Sequence, residues 1–245
     1  MKILIPPPFL AVILMSKPIL VILLTICALS PLIEGKEVPP GVDEALWETA
    51  QKAIPTEVER NQWLGRMYFL GINQGKLQIR KDYKIARRFF LKAAAMDDTR
   101  SKTHLGHIYF SGGFGVLADF REAAKWFRLA AVDGDAKAAT CLGIMYNGGN
   151  GVPKNPKEGY KWCLRGAMGG DASAQRELGA MHVNGVGALQ DYVTAYAWNN
   201  IAAANGNLDA EQMKKAMNKE LTREQISKGQ ELSRKMVREN PSLMK

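Results

Sequence analysis

Three histidines and three cysteines are the residues of this 245-residue chain whose chemistry reaches beyond packing. His104 and His107 stand three apart, so a helix would put both on one face, where a metal site could begin. Zinc needs three or four protein ligands, and no nearby set of His, Cys or Asp completes one. Cys141 and Cys163 could form a bridge only if their Cα atoms lie about 4.4–6.8 Å apart; the alternative is two buried thiols. Cys27 sits behind Leu24-Thr25-Ile26, with a bulky Ile where a lipidation signal has a small residue. Glycines cluster at Gly112-Gly113-Phe114-Gly115-Val116, at Gly148-Gly149-Asn150-Gly151-Val152-Pro153 and at Gly185-Val186-Gly187. No P-loop, GxSxG, HExxH or dinucleotide fingerprint accompanies them. Turns between helices account for them better than phosphate binding. No catalytic, cofactor-binding or metal-binding residue is assigned.

The elements that position these residues follow from composition and period. The chain is 47% hydrophobic and carries a net charge of +9, which excludes wholesale disorder. Three cysteines exclude a disulfide scaffold. Residues 1–35 hold only Lys2, Lys17 and Glu34 as charges. The apolar run 19–29 follows Lys17 and precedes Pro31, as in a secretory signal peptide cleaved near Glu34-Gly35. Met15 is a second candidate start. The alternative is an uncleaved anchor, because Ile3 to Ile33 is long enough to span about 30 Å of hydrocarbon. Pro6, Pro7, Pro8 and Pro18 argue against one continuous helix there. Export to an oxidising compartment would let Cys141 and Cys163 pair.

The remainder repeats itself. Leu64-Gly65-Arg66-Met67-Tyr68 recurs as Leu105-Gly106-His107-Ile108-Tyr109, Leu142-Gly143-Ile144-Met145-Tyr146 and Leu178-Gly179-Ala180-Met181-His182. A second marker keeps the same period: Asp82 to Phe89, Asp119 to Trp126, Asn155 to Trp162 and Asp191 to Trp198. Each unit reads as a helix A with the Leu-Gly motif, a glycine turn, and a helix B capped by Asp or Asn. The inner face of helix B is read as Ala123, Trp126 and Ala130. His182 takes the Tyr slot as a packed, hydrogen-bonded residue. No segment reads as a strand. One hairpin cannot bury its apolar face alone, but four stacked hairpins bury a continuous core.

These markers resemble the Sel1-like repeat, a relative of the tetratricopeptide repeat. Repeat 3, Ala138 to Gly170, matches the pattern closely, and repeat 2, Thr103 to Gly134, matches well. Repeat 1 departs through a longer loop, Gly71 to Ile79, and Phe89 in place of Trp. The resemblance implies an all-α, right-handed superhelical solenoid of four helix-turn-helix repeats with helical caps, preceded by the export signal. The expected organisation is a signal peptide or anchor over 1–35 and a linker with capping helix over 36–58. Four repeats follow over 59–206, then capping helices and a tail over 207–245. Thr222-Arg223-Glu224-Gln225 is a capping box opening the last helix, and the chain from Pro241 onward is expected to fray.

The resemblance also implies a function: a non-catalytic protein-binding scaffold of the bacterial envelope or secreted fraction, periplasmic or secreted, with a partner lying in the concave groove lined by the A helices. The candidate partner-binding residues are Gln62, Trp63, Arg66, His104, His107, Ile144 and Arg176. Thr103, Thr140, Cys141, Glu177 and Ala180 are flanking candidates. Two alternatives are a peptidoglycan- or polysaccharide-binding envelope protein and, further off, an enzyme acting on β-lactam or cell-wall compounds. Basic runs at 80–92 and 214–238 read as solvated helix faces, and export argues against nucleic acid.

Overall fold

The computed structural model describes residues 38, 40, 42, 44–54, 56–74 and 77–244. The signal-peptide reading, with Met15 and Cys27, lies outside these residues. The chain divides into two compact units, one ending at Asp98 and one beginning at Thr99.

The first unit holds helices α1 (Glu44–Ala53), α2 (Glu57–Leu70) and α3 (Tyr83–Ala95). Thr56 and Asp82 cap α2 and α3, their side-chain oxygens accepting from the Glu59 and Ile85 amides. These bonds satisfy donors that a helix start otherwise leaves unpaired. The longer loop of repeat 1 corrects the strand-free expectation. It folds into an antiparallel pair, β1 (Ile72–Gln74) and β2 (Leu77–Ile79), with Ile72 opposite Ile79 and Gln74 opposite Leu77. Gly75 and Lys76 separate the strands in sequence, and glycine followed by one residue is a hairpin signal. Each strand has only three residues, too short to show a period. Ile79 is buried, and Phe69 stacks on Tyr83 at 5.1 Å.

The second unit holds α4 (Thr99–Ser111), α5 (Phe120–Val132), α6 (Ala136–Gly148), α7 (Pro156–Met168), α8 (Ala172–Asn184), α9 (Tyr192–Ala204), α10 (Leu208–Glu220) and α11 (Arg223–Glu239). Helices α4/α5, α6/α7 and α8/α9 form the A and B members of three hairpins, each stacked on the next. Asp119, Asn155 and Asp191 cap the B helices; Asp135, Asp171 and Asn207 cap α6, α8 and α10. The A helices α4, α6 and α8 also touch from one repeat to the next.

The glycine of the Leu-Gly motif sets how close the hairpin halves come. A Cβ on Gly65, Gly106, Gly143 or Gly179 would lie 2.5, 2.5, 2.5 or 2.3 Å from Phe90, Phe127, Cys163 or Asn199. Each partner is the residue directly after the Phe/Trp marker. This corrects the inner face of helix B. Ala123, Phe127, Ala130 and Ala131 are buried, whereas Trp126 and Trp162 are half-buried on the flank. Phe127 lies four residues from Ala123 and three from Ala130, the spacing of a single helical stripe.

The two glycine connections of repeats 3 and 4 are helix-to-helix turns. Gly149 and Gly185 end α6 and α8 in the left-handed conformation. Gly151 and Gly187 then rest on backbone: a Cβ there would lie 2.1 Å from the Phe120 carbonyl oxygen and 2.3 Å from that of Pro156. Each connection is thereby seated on the first turn of the preceding B helix.

The C-terminus corrects the expectation of fraying. Helix α11 starts with the capping box, with the Thr222 and Gln225 side chains bonding each other's amides. After Asn240 the chain makes one 3-10 turn, Pro241–Leu243, and Leu243 enters the core of repeats 3 and 4 beside Ala167, Leu178 and Ile201. Its carbonyl accepts from Gln175 Nε2 at 2.8 Å and Asn205 Nδ2 at 2.6 Å, and Ser242 donates to the Met168 carbonyl at 2.8 Å. Gln175 is fully buried, and these bonds, with one to the Ala167 carbonyl, satisfy its amide.

Candidate functional site

The candidate site is the exposed face of the A helices. Leu105, Ile108, Leu142, Met145, Leu178 and Met181 turn into the core. Side chains on the other side of the same helices are held at fixed spacing by those buried rows. In the second unit this face carries His104, His107, Ile144 and Arg176, so four of the candidate residues share one layer of helices. Gln62, Trp63 and Arg66 lie on α2 in the first unit. Arg66 is exposed, Trp63 is half-buried, and the half-buried Gln62 has Nε2 3.5 Å from Asp98 Oδ1.

The four second-unit residues differ in availability. Ile144 is 39% exposed although its neighbours Leu142 and Met145 are fully buried. Arg176 is half-buried and pairs with Glu177 at 3.2 Å. His104 is half-buried. His107 sits edge-on against Phe127, ring centroids 5.0 Å apart. Burial pushes its imidazole below the ordinary pKa, with Asp135 opposing and Lys137 assisting. His107 therefore serves packing as well as the face. Two flanking candidates do not reach the face. Thr103 and Thr140 are buried, and their hydroxyls bond the carbonyls four residues back, at 3.3 and 2.9 Å. Thr140 also lies 3.2 Å from Asp171 Oδ2, which ties α6 to the cap of α8.

The reactive residue types serve structure. Cys141 and Cys163 are free thiols. Burial, reinforced by nearby carboxylates, raises both to about 12. Thiols held protonated in this way are poor nucleophiles. Cys163 is fully buried and fills the space beside Gly143. His182 is packed and bonded on both ring nitrogens: Nδ1 lies 3.2 Å from the Leu189 carbonyl and Nε2 3.2 Å from the Tyr160 hydroxyl. A carbonyl only accepts, so Nδ1 carries the proton and Nε2 accepts from Tyr160. Among the described residues no group of three or more His, Cys, Asp and Glu side chains could hold a metal ion. No helix of the described residues is long and apolar enough to cross a membrane.

Comparison with known proteins gives this arrangement a family. The Sel1 repeat model matches four consecutive stretches, residues 63–98, 100–135, 136–171 and 172–207. The crystal structure of c5321, a protective antigen of uropathogenic Escherichia coli strains displaying an SLR fold, superposes with a TM-score of 0.70. It is 26% identical and the match covers 81% of this chain. The Sel1 repeat protein from Oxalobacter formigenes superposes with a TM-score of 0.56 at 29% identity over 64% of this chain. The matches span 41% and 62% of the length of those two chains. No curated protein gives a significant match. Proteins of this fold are typically non-catalytic scaffolds for protein interaction. Four tandem matches in register with the hairpins make the chain a member of the Sel1 repeat family, as its Leu-Gly and Trp periods imply.

Proposed function

We propose that the protein is a non-catalytic adaptor that binds a protein partner along the exposed face of its A helices. Ile144 carries the reading. It is an exposed β-branched residue in the middle of the A layer, on the same helix as the fully buried Leu142 and Met145. An exposed apolar side chain on α6, with the charged pair Arg176–Glu177 on the neighbouring α8, is the mixture found where an apolar interface centre meets a polar rim. Arg66 and Trp63 belong to the residue types enriched at binding hot spots. We place the protein in the envelope or secreted fraction of a bacterium, on the strength of the apolar run 19–29 behind Lys17. The mass of the mature chain tests that placement. A chain starting near Gly35 supports a cleaved signal, and an intact N-terminus supports an anchor.

Trp63→Ala/Arg66→Ala tests the binding reading. Used as bait on envelope extract beside the wild type, the double variant should lose at least about tenfold of a specifically retained protein, as expected for two hot-spot truncations. Its circular dichroism should stay that of wild type, and Arg66→Ala alone, at an exposed position, should keep the unfolding free energy within about 0.5 kcal/mol of wild type. Equal retention by both baits would remove these residues from the site.

A further inference from the structure

The connections from helix A to helix B carry exposed apolar side chains away from the A-helix motif. In repeat 2, Phe114 is 53% and Leu117 90% exposed, and Phe120 at the head of α5 is exposed as well. The same positions of repeat 4 hold Val186, Leu189 and Tyr192, all exposed, with Leu189 at 89%. Phe114 keeps its place at a φ of +47, a conformation that costs a non-glycine residue strain. The seating of Gly151 on the Phe120 carbonyl and of Gly187 on that of Pro156 joins the three connections into one edge.

The charges along this edge are asymmetric. Glu122 and Glu158 are paired within their own helices, with Lys125 at 2.8 Å and Lys161 at 2.7 Å. Asp119 and Asp191 are engaged in capping. Arg121, Lys154 and Lys157 are exposed and make no ion pair among the described residues. The surplus along the edge is positive, as it is over the whole chain at +9.

We propose that this edge docks the second unit onto an anionic lipid surface. Phe114, Leu117, Val186 and Leu189 enter the boundary between headgroups and acyl chains, Tyr192 lies at headgroup level, and Arg121, Lys154 and Lys157 meet lipid phosphates. A lipid surface fits better than a protein partner because the two leucines protrude almost fully. A fluid acyl layer closes around a protruding side chain, whereas a rigid partner would need a matching hole for each. The docking edge is separate from the A-helix face, so it leaves that face free for a partner.

The test uses the full chain with Cys27→Ser and an environment-sensitive fluorophore on Leu117→Cys or Leu189→Cys. A control label goes on Lys215→Cys, on α10. Cys141 and Cys163 stay in place, because thiols raised to about 12 react slowly at neutral pH. Vesicles of phosphatidylcholine with phosphatidylglycerol should shift both edge probes to the blue and leave the α10 probe unchanged. Vesicles of phosphatidylcholine alone should give a much weaker shift. Lys154→Glu/Lys157→Glu should raise the lipid concentration at half-shift by at least about tenfold. Edge probes that stay in water while the chain sediments with vesicles would overturn the proposal, because attachment would then run through another segment. An equal shift at residue 215 would overturn it too. A shift given by delipidated envelope protein but not by vesicles would assign the edge to a protein partner instead.

Discussion

Replacing Gly143 with alanine will destabilise the protein by about 3 kcal/mol, at the upper end of what overpacking costs. Helix propensity alone predicts the opposite sign, because alanine in a helix interior is favoured over glycine by about 1 kcal/mol. The hairpin of repeat 3 reverses that preference. A Cβ on Gly143 would lie 2.5 Å from Cys163 Sγ, 2.9 Å from the Cys163 amide nitrogen and 2.9 Å from the Gly159 carbonyl oxygen. A Cβ on Gly159 would in turn lie 2.9 Å from the Gly143 carbonyl oxygen. Two backbones therefore meet at this crossing, and no rotamer change can make room. Gly148→Ala is the matched control. It meets the end of the Asn150 side chain and should change stability by less than about 0.5 kcal/mol. Urea unfolding of the two variants beside wild type reads the difference directly. A Gly143→Ala protein as stable as wild type would mean that the halves of this hairpin do not approach as described.

Leu243→Ala will cost about 3 kcal/mol, the middle of the range for emptying a buried leucine site. The size is large for a residue followed by only Met244 and Lys245 in the sequence. Leu243 is 1% exposed and shares a cluster with Cys163, Ala167, Leu178 and Ile201. Its carbonyl is also the acceptor that the buried Gln175 amide uses. Removing residues 240–245 takes away both the apolar plug and that acceptor. It should therefore lower the unfolding midpoint further and open the Lys161–Arg165 region of α7 to protease. Met244→Ala, at an exposed position, should have little effect. A Leu243→Ala midpoint equal to that of Met244→Ala would contradict the plugged terminus.

The repeat period, the helix pairs, their caps and the capping box were all legible in the sequence, because each rests on short-range spacing. Asp119 and Asn155 cap where an Asp or Asn ahead of an apolar stripe should cap. What could not be read depends on contacts across the fold. The step from Trp126 to Phe127 is one residue in sequence but decides which ring meets Gly106. A 3.6-residue period leaves the two positions on adjoining flanks of the stripe, and the larger residue was the natural choice. The signal lay in the set Phe90, Phe127, Cys163 and Asn199, whose unlike residue types hide their common partner, the motif glycine. The plugged terminus was hidden for the same reason: Gln175 takes the place of Ala139 in the repeat, and only the fold shows that its amide awaits a carbonyl from 68 residues on. Of the candidate face, Ile144 and Arg66 were legible as non-core positions that stay exposed. Thr103 and Thr140 were not, since only the packed fold shows that they are buried.

The reading of the A-helix face as the partner site rests on one measurement above the others. A photo-reactive amino acid is placed at residue 144, on the A layer, and in a second strain at residue 129, an exposed position of helix α5. After irradiation of intact cells, position 144 should yield a discrete cross-linked protein of one mass and position 129 should not yield it. Arg176→Ala should weaken the adduct from 144 without changing the amount of folded protein. The same adduct from both positions, or one from 129 alone, would contradict the account and move the partner to the B helices.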